Sequence, residues 1–180
     1  MSDAKEKMSK SVEAFRHNLS GLRTGRASAD LLTPIKVDYY GSEVPLVSLA
    51  SISVPESRML QLQVFDKGAL QAVEKAIQSS GLGITPRTDG TTIRLPLPEL
   101  TEDRRKELLK VAKTYAEESR VAIRNLRRDN IDGFKKAEKD KTLASDESHR
   151  QQEAIQKMTD AAVRQIDDLL AAKEKEILQV

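Results

Sequence analysis

The chain has no cysteine and no tryptophan. Without thiols there is no disulfide, no zinc–thiolate cluster and no cysteine nucleophile. Aromatic residues make up only 3% of the sequence, so base stacking along an aromatic strip is not indicated. The two histidines, His17 and His149, sit far apart in the sequence and in no ligand cluster, which suits surface or capping positions better than a metal site or a triad. Gly81-Leu82-Gly83 falls short of a dinucleotide fingerprint, and no lysine follows a glycine-rich phosphate loop. No apolar run approaches the roughly 20 residues of a membrane span. The polar start, Met1 to Lys7, lacks the apolar core of a secretory signal. These absences lead us to expect a soluble cytoplasmic chain that is not an enzyme and carries no cofactor and no metal.

Charge is abundant, at 32% of residues, but nearly balanced at a net +2. Dense charge with few aromatics suits long solvated helices. Proline shows where they lie. All six prolines fall between Pro34 and Pro98, and a helix interior excludes proline by about 3 kcal/mol. Charge shifts at the same borders: residues 31–98 hold 6 basic and 6 acidic side chains, against 24 and 22 in the other 112 residues. A helical domain, residues 1–29 and 101–180, is therefore expected to be interrupted by a second domain, residues 30–100.

Met8, Val12, Phe15, Leu19 and Leu22 recur at alternating spacings of four and three, a coiled-coil-like seam. Thr101-Glu102-Asp103 reads as a cap and an acidic first turn. The helix it opens is expected to reach about Asp140, with Leu108, Val111, Tyr115, Ala122 and Leu126 facing inward. Ser145-Asp146-Glu147 opens a third helix, with Ile155, Met158, Ala162, Ile166, Leu169 and Ile177 on one side. Three striped helices hide their stripes on one another, as a long antiparallel three-helix bundle. The insert alternates at Ile35-Val37-Tyr39, Leu60-Leu62-Val64 and Ile93-Leu95-Leu97, with a type I′ hairpin signal at Asp89-Gly90. Leu70, Val73 and Ile77 mark a short helix ending near Gly81. The fold class is α+β: the bundle with an inserted small β/α/β sandwich.

On a 100° wheel with Arg120 at zero, Lys113, Arg124, Arg127 and Arg128 fall at about 20°, 40°, −20° and 80°. The expected apolar row lies near about −130°, so these cations share an arc that largely avoids it. Most nearby acids cluster elsewhere, with Glu117 the exception. Mixed signs would give better i, i+4 pairing on a merely solvated helix, so the segregation points to phosphates contacted along a rigid rod, as on folded RNA. A solvated basic face remains the competing interpretation. Arg23-Thr24-Gly25-Arg26-Ala27-Ser28 closes the first helix, with Arg26 four residues beyond Leu22, where the seam calls for an apolar side chain. An arginine there needs a carboxylate, a carbonyl or an external phosphate. Two crossings join the domains, at 29–33 and 97–101. Since Pro34 and Pro98 stiffen their neighbours, hinge points are expected at Asp30, Leu31 and Leu32 and at Glu99 and Leu100.

Several segments resemble the ribosome recycling factor family: Arg23 to Ser28, Tyr39-Tyr40-Gly41, Val73 to Ile77, Ile93 to Pro98, Leu100 to Glu102, Arg104-Arg105-Lys106, and Ile123 to Asp129. They cover essentially the whole chain in the family's order. The resemblance implies an L-shaped monomer of tRNA-like size that binds the post-termination ribosome, with the bundle on large-subunit RNA. It implies elongation factor G and GTP as the agents of subunit separation, the small domain as neighbour of that factor and the small subunit, and no role for DNA or membranes. Carried over, Arg127 is the leading RNA contact, with Arg124 and Arg128 beside it and Arg120 and Lys113 on the same arc. Arg23 and Arg26 join them, Arg26 at the bundle end that the family directs toward the peptidyl-transferase region. From the residues alone, an RNA-binding structural protein ranks ahead of a coiled-coil adaptor. Salt dependence separates the two, because phosphate contacts weaken with salt and apolar seams do not.

Overall fold

Alternating four- and three-residue apolar spacing on both flanks of the proline-rich segment produces three long helices, and the segment between them produces two sheets. The computed structural model describes residues 2–179. The elements are α1 (Ser2–Ser20), β1 (Lys36–Tyr39), β2 (Ser42–Pro45), β3 (Ala50–Glu56), β4 (Met59–Val64), α2 (Leu70–Gln78), β5 (Arg87–Asp89), β6 (Thr92–Pro96), α3 (Glu102–Lys139) and α4 (Ser145–Leu178). The chain divides into two compact units: one takes the chain up to Arg16 with Lys110–Glu174, the other His17–Leu109 and the chain from Lys175 onward. This divide falls inside the long helices, whereas the proline borders lie at 29/30 and 100/101. The last residues of α1, the first of α3 and the last of α4 thus belong to the same compact unit as the sheets.

The first unit is helical. Met8, Val12 and Phe15 of α1, Ala112, Ala116 and Ile123 of α3, and Ile155, Ala162 and Ile166 of α4 are buried there. α3 and α4 run antiparallel, since Arg120 reaches Asp167 while Arg127, farther along α3, reaches Gln156, farther back on α4. The turn between them is a helix C-cap. Lys141 takes a left-handed φ of 57°, and the N–H groups of Thr142 and Leu143 both donate to the Ala137 carbonyl.

The expected inward row of α3 is partly wrong. Leu108 is buried, but Val111 is 36% exposed and Ala122 is also exposed; Ala112, Ala116 and Ile123 take the core positions instead. The buried stripe is therefore centred near about −70° on the same wheel, rotated toward the arginines. Two alanines four residues apart carry little apolar signal, yet they let neighbouring backbones approach closely.

The second unit holds a two-stranded sheet, β1–β2, and a four-stranded antiparallel sheet in the order β3-β4-β6-β5. Leu60, Leu62, Ile93 and Leu95 from one sheet, Val37 from the other, and Val73 and Ile77 of α2 share one core with Leu32 and Leu46. Strand β3 lies outside the expected alternations: Ala50, Ile52 and Val54 do alternate with Ser51 and Ser53, but Pro55 argues against a strand. Pro55 is tolerated because β3 is an edge strand whose register shifts between Ser53 and Glu56. The β5–β6 turn also differs from expectation: Asp89 pairs with Thr92, and Gly90 alone in the loop has a positive φ. That is the mark of type II′, not I′. The double left-handed turn is at Tyr40-Gly41, with φ of 50° and 82°. At the start of α3 the expected cap is present, the Arg104 N–H donating to Thr101 Oγ1 at 3.1 Å, a bond of a kind that contributes about 1 kcal/mol.

Candidate nucleic-acid interface

The rotated stripe on α3 changes the setting of its cations. Arg120 lies on the flank of the core with its side chain only 21% exposed, and it is clamped by acids. Its Nη2 is 2.6 Å from Asp167 of α4, and its Nη1 is 3.3 Å from Glu117. Arg124 also takes Glu117, at 2.5 Å. Hydrogen bonding by Arg124 comes first among the causes that hold the Glu117 carboxyl below the usual range. Burial alone would lower the Arg120 pKa, but Asp167 and Glu117 outweigh it and the net shift is upward. Glu117, the one acid that broke the segregation on the wheel, is thus the residue that bridges Arg120 and Arg124.

Arg127 is half-buried beside the core and does not project clear of it. Its Nη1 donates to Gln156 Oε1 at 2.9 Å, and Gln156 Nε2 in turn donates to Asp160 at 2.9 Å, which fixes which end of the amide faces the arginine. Its Nε is buried without a partner. Among the described residues no carboxylate pairs with it. Arg128 and Lys113 are exposed and make no ion pair among the described residues. Arg124 and Arg127 line a shallow groove of about 390 Å³ with Gln156, Asp160, Arg164 and Asp167. Arg164 is missed by the sequence pattern; its only signal is its place on α4, too far along the chain to group with the α3 arginines. The arc therefore contains one structural strut, Arg120, and four cations able to meet phosphates: Arg124, Arg127, Arg128 and Lys113. Cations spaced along a rigid rod suit a phosphate backbone better than base edges.

The Arg23–Ser28 segment belongs to the second unit. It does not close a helix: α1 stops at Ser20, and residues 21–28 form a loop whose Ala27 N–H donates to the Ser57 carbonyl at 2.7 Å. The seam breaks for the same reason, so Arg26 is exposed and the buried cation is Arg23, at 9% exposure. Gly25 is required where the loop passes the Gln179 carbonyl, since a Cβ would stand 2.9 Å from that oxygen. The expected hinge residues differ in their surroundings. Leu31 and Leu32, 3% and 0% exposed, form part of the second unit's core, and Leu100 is buried. Asp30 and Glu99 are exposed. A pivot at the leucines would drag core side chains with it.

The chain matches the ribosome recycling factor family over residues 15–178. It belongs to that family. The ribosome-recycling factor of Rhizobium meliloti (strain 1021) is 54% identical over 180 residues, covering 100% of this chain and 97% of that one. That of Agrobacterium fabrum is 53% identical with the same coverage. A solution structure of the ribosome recycling factor superposes with a TM-score of 0.79 at 43% identity, covering 99% of this chain and 95% of that one. A second similar chain comes from models of the T. thermophilus ribosome recycling factor and the E. coli elongation factor G bound to the E. coli post-termination complex. Its TM-score is 0.68 at 46% identity, with 99% and 96% of the two chains covered. Family membership agrees with the α+β architecture of long helices plus a small sheet domain. Among the described residues no helix is long and apolar enough to cross a membrane.

Proposed function

We propose that this chain binds the ribosome after termination and, with elongation factor G and GTP, promotes its separation into subunits and the release of mRNA and tRNA. The observation that carries the proposal is the cationic side of α3, where Arg127 is held in place by Gln156 and, among the described residues, forms no ion pair. A preoriented, unneutralised guanidinium on a rigid helix loses little freedom when it meets a phosphate. Its neighbours Arg124, Arg128 and Lys113 extend the contact along the rod toward large-subunit RNA. The chain works as a wedge and a handle and performs no chemistry of its own; elongation factor G supplies the energy by hydrolysing GTP. Motion at the crossings expected from the sequence would turn at the exposed Asp30 and Glu99, both of which lie within the second compact unit, with the buried Leu31, Leu32 and Leu100 moving together with the side chains around them.

The test is light scattering on post-termination ribosomes. Scattering should fall as subunits separate when this chain, elongation factor G and GTP are all present, and should hold steady when any one is omitted or GTP is replaced by a non-hydrolysable analogue. Splitting by elongation factor G and GTP at the same rate without this chain would refute the proposed role.

A further inference from the structure

Among the described residues the sheets of the second unit end in four edge strands, β1, β2, β3 and β5. A free strand edge invites pairing with another chain, and proteins block such edges. β3 is blocked by Pro55 and its register shift, β5 is only three residues long, and β2 ends on Pro45. β1 carries neither a proline nor a bulge. Its pairing decides which of its backbone groups face outward. Lys36 stands opposite Pro45, which has no N–H, while in the next pair the Leu46 N–H donates to the Ile35 carbonyl at 3.0 Å. Bonded and unbonded pairs alternate along an antiparallel ladder. Ile35, Val37 and Tyr39 therefore bond toward β2, and Lys36 and Asp38 turn their N–H and C=O groups away from it. Among the described residues β1 has no strand on that side.

A groove runs along this edge, between β1 and α2. Its two adjoining halves measure about 310 and 370 Å³, and Lys36 and Ala76 border both. Val37 packs into the core with Val73 and Ile77, so α2 lies beneath β1. On the groove side α2 carries Ala72 and Ala76, too short to close the edge. Pro34 and Leu82 make one end of the groove apolar. Lys36 at its centre and Lys75 at the other end add positive charge. Among the described residues Lys36 has only Glu43 within ion-pair reach, at 3.9 Å, and Lys75 makes no ion pair. Asp38, the acid of the groove, already accepts from the Gly41 N–H at 3.2 Å. Alternating N–H and C=O groups along an open edge recognise a peptide backbone. We propose that the β1 edge is a docking site for an extended peptide segment of a partner protein, which adds to β1 as a third strand. Its backbone pairs with Lys36 and Asp38, and an acidic side chain stands opposite Lys36. The next side chain along points to the other face; it is apolar and sits over Ala76, between Pro34 and Leu82. The site is independent of the α3 cations and of the role proposed above.

The test uses the full ¹⁵N-labelled chain, with the capped peptide Thr-Val-Glu-Val-Thr-Val as probe. In the free chain the Lys36 and Asp38 amides should exchange quickly with solvent, while Val37, bonded to β2, exchanges slowly. Saturating peptide should slow the first two by about tenfold or more and leave Val37 unchanged. The Lys36 and Asp38 amide signals should also shift along one saturation curve. Lys36→Glu should weaken the peptide about fivefold, and exchanging the peptide's glutamate for lysine should restore the affinity. Asp38→Pro removes one outward N–H and no bond to β2, so it should fold and lose binding. Full binding by Asp38→Pro, no shift at β1 with millimolar peptide, or shifts at Lys113 and Arg128 of α3 instead would each overturn the site. Protection of Lys36 and Asp38 that grows with protein concentration in the absence of peptide would make the occupant a second copy of this chain, and would overturn the partner assignment. Should Asp38→Pro fail to fold, the charge exchange at the exposed Lys36 decides.

Discussion

Replacing Arg124, Arg127 and Arg128 together with alanine is expected to weaken binding to the large ribosomal subunit about a hundredfold at low salt, because each charge-assisted contact contributes about 1.5–3 kcal/mol and part of this is recovered by neighbouring cations. The slope of log affinity against log salt should become shallower by about three, one for each phosphate that no longer meets an arginine. The triple variant will not be neutral for folding. Arg127 packs its stem beside the core and donates to Gln156 at 2.9 Å, so about 1–2 kcal/mol of stability should go with it. Circular dichroism must therefore accompany the binding measurement, and the helical signal should be intact at the binding temperature. Arg120→Ala should behave differently. It removes the clamp on Asp167 and Glu117, so it should cost stability more than affinity. Unchanged binding and an unchanged salt slope for the triple variant would move the RNA surface off α3.

Phe15→Ala is expected to destabilise the chain by about 3–5 kcal/mol, the range for a fully buried aromatic cut back to a methyl. Phe15 is 0% exposed, on an α1 stripe that also buries Ala4, Met8 and Val12. For a chain of this size the melting temperature should fall by roughly 10 °C. Glu13→Ala, two residues away on the exposed side of α1, should change it by no more than about 1–2 °C. Thermal melts followed by circular dichroism decide the matter. A loss under about 1 kcal/mol would mean that α1 does not supply core to the helical unit.

The α1 stripe is legible in the sequence because Met8, Val12 and Phe15 are large and evenly spaced. The α3 stripe is legible only at Leu108, since Ala112 and Ala116 are too small to stand out from the exposed Val111 and Ala122. That error in phase carries into the site: with the stripe drawn too far round, the wheel aims Arg127 and Arg120 clear of a core that they in fact flank. The partners that separate them come from α4 and lie beyond any local pattern. Asp167 is 47 residues from Arg120, and Gln156 is 29 residues from Arg127. The loop after α1 fails in another way. Arg23 and Arg26 are both arginines in an ambiguous run, and which one is buried depends on the helix stopping at Ser20, where Gly21 lets the chain pass Pro34.

The absence of native cysteine makes one measurement especially direct. A single cysteine at Lys113 or Arg128, both exposed on α3, can carry a tethered iron chelate that cuts nearby RNA. If the cationic side of α3 lies on large-subunit RNA, cleavage from these tethers should cluster in that RNA, and a tether at Glu13 on the outer side of α1 should give a different and weaker pattern. Cleavage confined to small-subunit RNA, or no cleavage from the α3 tethers while the protein remains bound to the ribosome, would contradict the account.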